Sequence, residues 1–129
     1  MCYPYTYTDC HRFLDSICLL PHSQTLLRRA SLCKTLAGNS LEMLIITNFQ
    51  SSQDHIAKRK CIILTGRVHP GESNSSYVME GVIKLLVSND PTAVVLRDRY
   101  VFKVVPMLNP DGVIVGNYRC SLSGHDLNR

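Results

Sequence analysis

Cys61-Ile62-Ile63-Leu64-Thr65-Gly66-Arg67-Val68-His69-Pro70-Gly71-Glu72 is the stretch on which the reading of this chain turns. Residues 61–65 are close to continuously apolar, the pattern of a central strand covered on both faces. Gly66 and the Pro70-Gly71 pair then bend the chain. His69 and Glu72 stand three residues apart at that bend, so an imidazole and a carboxylate are aimed at one place beyond the end of a strand. Ligand sites of open α/β sheets lie there. Both groups ligate zinc at about 2.0–2.2 Å, and catalytic zinc takes three protein ligands, often two His and a carboxylate. The same spacing also suits a surface loop whose His and Glu face solvent.

Working outward, residues 74 or 75 to 87 predict a helix, with Val78, Val82, Leu85 and Leu86 on one side. Asn89-Asp90-Pro91 breaks it, and Pro91 suits the first turn of a short helix to residue 97. Residues 100–105 read as a strand, ended by Pro106 and then by Asn109-Pro110-Asp111-Gly112, a turn signature. Upstream, residues 48–60 are polar and read as a surface loop. Strands over 32–36 and 41–47 are joined through Gly38-Asn39, a hairpin signal. Residues 22–30 read as a loop or short helix. Thr8 or Asp9 can cap a helix to about residue 20, with Phe13, Ile17 and Leu20 on one face and Pro21 after it. Tyr3, Tyr5 and Tyr7 alternate with smaller residues as in a short extended segment. Strands alternating with helices predict an α/β sheet.

The 129 residues fit one domain. A hydrophobic content of 45% with 19% charged residues is that of a soluble globular chain. No apolar run approaches the roughly 20 residues of a membrane span, and Met1-Cys2-Tyr3-Pro4-Tyr5 has no signal-peptide character. The six cysteines, Cys2, Cys10, Cys18, Cys33, Cys61 and Cys120, are scattered and read as free thiols of a reducing compartment. The net charge is +4, but the Lys and Arg residues form no stripe, which argues against nucleic-acid binding.

Near the end of the chain, Asp126-Leu127-Asn128-Arg129 combines groups suited to a site. Arg offers a planar fork for a carboxylate and Asn a donor beside it. Asp126 can accept the second N–H of a metal-bound His. Arg119 can stabilise charge on a carbonyl oxygen. Taken alone, Asp126-Leu127-Asn128-Arg129 reads more simply as a polar tail, and Arg119 reads equally as a solvated surface arginine.

Together, His69-Pro70-Gly71-Glu72, Asn109-Pro110-Asp111-Gly112-Val113, Gly116-Asn117-Tyr118-Arg119 and Asp126-Leu127-Asn128-Arg129 resemble, in order and spacing, the zinc metallocarboxypeptidases. The H-P-G-E, G-N-Y-R and D-L-N-R forms, with the opening Tyr3-Pro4-Tyr5-Thr6-Tyr7-Thr8-Asp9, look most like the cytosolic carboxypeptidase branch. The resemblance implies an α/β chain, the N-terminal portion of a mixed-sheet metallocarboxypeptidase fold with flanking helices, truncated at Arg129. Residues 1–129 would then be a single, incomplete peptidase domain.

By the same resemblance, His69 and Glu72 are two of three Zn2+ ligands and Asp126 is the hydrogen-bonded partner of His69. Arg119 polarises the scissile carbonyl and holds the oxyanion, while Asn128 and Arg129 grip the terminal carboxylate of a substrate. Asn109-Pro110-Asp111-Gly112 is structural. The third ligand and the general base lie beyond residue 129, so the chain alone is expected to be inactive. His125, next to Asp126, is expected to point away. The substrate implied is a peptide or protein C-terminus, or side-chain glutamates of polyglutamylated tubulin, in a cytosolic, microtubule-associated setting. Two other functions stay open: an inactive isoform that binds partners, and a zinc amidohydrolase of the aspartoacylase or desuccinylase type.

Overall fold

The computed structural model describes residues 3–129, so Met1 and the thiol expected at Cys2 lie outside the described residues. Helix α1 is Tyr7–Cys18. Its cap is Thr6, not Thr8 or Asp9: the Thr6 hydroxyl accepts from the Asp9 N–H at 3.0 Å, and Asp9 accepts from the Thr6 N–H at 2.9 Å. Asp9 thus closes a reciprocal capping box as the third helical residue. Starting there, α1 directs Cys10, Phe13, Leu14 and Ile17 inward. The ambiguous stretch after Pro21 resolves into a single turn, α2 (Ser23–Leu26), running directly into strand β1 (Leu27–Lys34).

β1 pairs antiparallel with β2 (Ser40–Ile46) across the Gly38-Asn39 turn, where Gly38 has φ 80°. The polar stretch that follows is not all loop. It contains α3 (Gln53–Lys58), capped by Ser52. β3 (Lys60–Thr65) leads into α4 (Ser73–Leu86), α5 (Pro91–Arg99) and β4 (Tyr100–Val105). The sheet order is β1-β2-β4-β3, with β4 antiparallel to β2 and parallel to β3. This is the mixed α/β architecture expected.

One face of the sheet carries Leu27, Leu44, Ile46, Phe102 and Val104, packed with Phe13, Leu14 and Ile17 of α1 and Met79, Ile83 and Leu86 of α4. Leu14, Leu44, Ile46, Ile83 and Val104 are fully sequestered, each worth about 1.5–3 kcal/mol of burial. The expectation that residues 61–65 are covered on both faces is corrected. β3 stands at the edge of the described sheet: Ile62 and Leu64 pack against the core, while Cys61 and Ile63 are exposed.

The predicted stripe of α4 is corrected in part: Leu86 is buried and Val82 packs against the core, as expected, but Val78 and Leu85 face outward. The buried residues of the helix are Ser76, Met79, Ile83 and Leu86. This face packs Met79, Ile83 and Leu86 into the core and also brings Ser76 to the buried guanidinium of Arg67. Asn109-Pro110-Asp111-Gly112 opens a helix, α6 (Pro110–Val115), rather than making a free turn. Asn109 Oδ1 accepts the Gly112 N–H, Pro110 occupies the first turn, and Gly116 ends the helix at φ 85°.

Candidate metal centre

The site is assembled where the parallel pair β3 and β4 ends. The Gly66 N–H donates to the Val105 carbonyl and the Leu108 N–H donates to the Gly66 carbonyl, so the segments leaving the two strands stay paired. Asn109 Nδ2 donates to the Val68 carbonyl at 3.1 Å. The Gly71 N–H donates to the Tyr118 carbonyl at 2.7 Å. A β-carbon at Gly71 would lie 2.8 Å from that same oxygen and 2.5 Å from the Tyr118 ring, so only glycine allows the approach. With the Asn117 N–H donating to the Gly112 carbonyl as well, backbone hydrogen bonds tie Gly116-Asn117-Tyr118-Arg119 to both of the motifs before it.

His69 is buried, with 9% of its surface exposed. Its Nδ1 lies 3.2 Å from Glu72 Oε1 and its Nε2 lies 3.1 Å from Asp126 Oδ1. Arg119 Nε donates to Asp126 Oδ2 at 2.7 Å, and the Asn128 N–H donates to Asp126 Oδ1 at 2.9 Å. The Asn128 amide above all, then Arg119 and His69, outweigh burial and hold the Asp126 carboxyl at about 2, well below its ordinary value. Asp126 is thus a firm anion on one side of the ring.

A neutral imidazole has one N–H. If Nε2–H donates to Asp126, Nδ1 turns a lone pair towards a carboxylate oxygen of Glu72. Two acceptors then face each other at 3.2 Å, the arrangement that a bound metal ion would satisfy. The donor set of one imidazole nitrogen and one carboxylate oxygen suits zinc. Among the described residues no group of three or more His, Cys, Asp or Glu side chains converges as a metal site.

Of the residues expected at the site, His69, Glu72, Asp126 and Arg119 form one connected chain. Asn128 and Arg129 join it only through the turn at Asp126. The Arg129 N–H donates to the Asp126 carbonyl, and both side chains are exposed. His125 is exposed and contacts Ser123 Oγ at 3.1 Å through Nδ1. Arg67 was not anticipated. It is 5% exposed and lies beneath the His69–Glu72 loop. Its one local signal was a charged residue within an otherwise apolar run from strand to bend.

His69, flanked by Glu72 and Asp126 beyond the carboxyl end of a parallel strand, lies where α/β sheets carry their ligand sites. The zinc carboxypeptidase family model (peptidase M14) matches residues 19–129, and the chain belongs to that family. Cytosolic carboxypeptidase 2 of Mus musculus is 54% identical over 127 residues, covering 98% of this chain and 15% of the mouse protein. Cytosolic carboxypeptidase 3 of Bos taurus is 53% identical, with 99% of this chain and 13% of that protein covered. The solved metallo-carboxypeptidase of Burkholderia cenocepacia superposes with a TM-score of 0.84 at 32% identity, over 97% of this chain and 32% of that one. The chain therefore spans about one seventh of the length of these curated relatives.

Proposed function

We propose that the polypeptide carrying this sequence is a zinc-dependent carboxypeptidase that removes glutamates from the C-termini or side chains of cytoplasmic proteins, tubulin among them. Residues 1–129 are then part of one peptidase domain. The observation that carries the reading is the placement of His69 between two carboxylates, Glu72 at 3.2 Å and Asp126 at 3.1 Å. His69 Nδ1 and Glu72 would hold zinc. When bound, the metal supplies Lewis-acid polarisation of a carbonyl and lowers the pKa of water towards about 7.

The chain's own residues do the rest. Asp126 accepts the Nε2–H of His69, which fixes the ring tautomer and leaves Nδ1 as the donor to metal. Arg119 has five N–H donors, one of them engaged with Asp126. Others can meet the charge that develops on a carbonyl oxygen as it is attacked. Asn128 and Arg129 offer an amide and a planar fork for a substrate's terminal carboxylate. A third ligand and a general base come, on this reading, from beyond residue 129. Support for a carboxypeptidase of the cytosol comes from the family match and from the names of the relatives. None of the described helices is long and apolar enough to cross a membrane.

The test is zinc titration by calorimetry on this sequence in its natural full-length context, with glutamate release from a polyglutamylated peptide measured in parallel. His69→Ala and Glu72→Ala should each weaken zinc binding by more than the roughly 10–100-fold that loss of a ligand's hydrogen-bonding neighbour costs. Release should disappear in both. Undiminished zinc affinity or turnover in the double variant would overturn the proposal.

A further inference from the structure

Arg67 is the only non-glycine among the described residues with a positive φ, at 56°. That left-handed conformation is strained for a residue with a side chain and persists only where the surroundings enforce it. Here they do. The Arg67 N–H donates to Ser75 Oγ at 2.8 Å, and its carbonyl accepts from the Asn109 N–H at 3.3 Å. The side chain curls back under the loop it has just entered. Nε donates to the Pro70 carbonyl at 2.8 Å, Nη1 to Ser76 Oγ at 2.8 Å, and Nη2 to the Tyr5 carbonyl at 3.1 Å. One rigid fork thus binds the loop itself, the first turn of α4 and the segment before α1.

The Pro70 carbonyl belongs to the peptide that joins His69-Pro70 to Gly71-Glu72. Its direction determines how the imidazole and the carboxylate face one another. We infer that Arg67 is a positioning residue for the metal pair. Through the Pro70 carbonyl it sets the peptide plane between His69 and Glu72, and through Ser76 it ties that plane to the start of α4. The inference rests on the zinc-carboxypeptidase reading of His69 and Glu72. A lysine retains the charge but not the fork, so it cannot reach three acceptors in three directions.

Two variants test this in the full-length protein. Arg67→Gly adopts the positive φ without strain and removes only the side chain. Arg67→Lys retains charge and burial, and carries the comparison if Arg67→Gly does not fold. Ile17→Val, remote in α1, is a control for general destabilisation. Three quantities are read: zinc affinity by calorimetry, the visible d–d spectrum of the Co2+ form, and the 15N–1H ring correlations of His69 in metal-free protein.

Expected in both Arg67 variants are an affinity loss of about 10–100-fold, as for other groups that orient a ligand, an altered cobalt spectrum, and loss of the Nε2–H tautomer preference. The Ile17→Val control should preserve all three at wild-type values. Wild-type ring correlations and affinity in Arg67→Lys, or an equal loss in the control, would overturn the inference. Failure of the parent protein to take up zinc would sink the metal reading instead. The metal-free ring spectra would still decide whether Arg67 orients His69.

Discussion

A carboxylate shut away from water needs donors, and Asp111, 5% exposed, has them. It accepts from the Thr35 hydroxyl at 2.6 Å, from Asn39 Nδ2 at 2.8 Å and from the Ala37 N–H at 3.1 Å. Burial by itself would raise its carboxyl, but the Asn39, Thr35 and Ala37 donors outweigh it and hold the group below the ordinary range. The native state therefore retains the charge at a pH where the unfolded chain has begun to take up protons. The stabilisation is complete above about 3.9 and fades as pH falls through the depressed native value. Asp111→Asn should cost about 1–3 kcal/mol at neutral pH, because an amide N–H then faces existing donors. In urea titrations the gap to wild type should narrow below pH about 4. A gap independent of pH would refute this assignment. Asp111 shows where local reading stops. Asn109-Pro110-Asp111-Gly112 was recognisable as structural, yet its acceptor joins a turn more than seventy residues upstream. His69, Glu72, Asp126 and Arg119 were legible because residue type and spacing carry their chemistry. Arg67 was not, since its acceptors lie in three separate segments.

Elements were legible by kind more than by limits. Helix α1 was foreseeable, but its cap was expected at Thr8 or Asp9, whereas the Thr6-x-x-Asp9 spacing is itself a capping-box signature and marks Thr6. The reciprocal Thr6–Asp9 hydrogen bonds make that choice, and the helix they start lays Phe13, Leu14 and Ile17 in the core. Thr6→Ala should destabilise the protein by about 1 kcal/mol in thermal unfolding, with Thr6→Ser restoring most of it. An unchanged midpoint would mean that the box contributes nothing. Thr6 also follows Tyr5, whose carbonyl receives Arg67, so the cap helps to hold the segment on which the guanidinium rests. In α4 the difficulty was apolar residues on more than one side, and the buried face is the one that joins Met79, Ile83 and Leu86 to the core and Ser76 to Arg67.

At the scale of the molecule, alternation of strands and helices announced an α/β sheet, but the order of strands depends on partners far apart in sequence. β3 reads like a strand covered on both faces, yet the described residues leave Cys61 and Ile63 uncovered. β4 lies between β2 and β3, joined antiparallel to one and parallel to the other. This has a consequence for biosynthesis. On the ribosome, β3 emerges before β4, its one partner among the described strands, and must await the roughly 40 residues that end at Val105, about 2–8 s at ordinary elongation rates. During that interval the apolar Cys-Ile-Ile-Leu-Thr run stays unpaired with β4. Stalled chains released short of β4 should be cut by protease within that run and longer ones spared. Equal resistance at both lengths would show that β3 finds shelter earlier than the finished sheet provides.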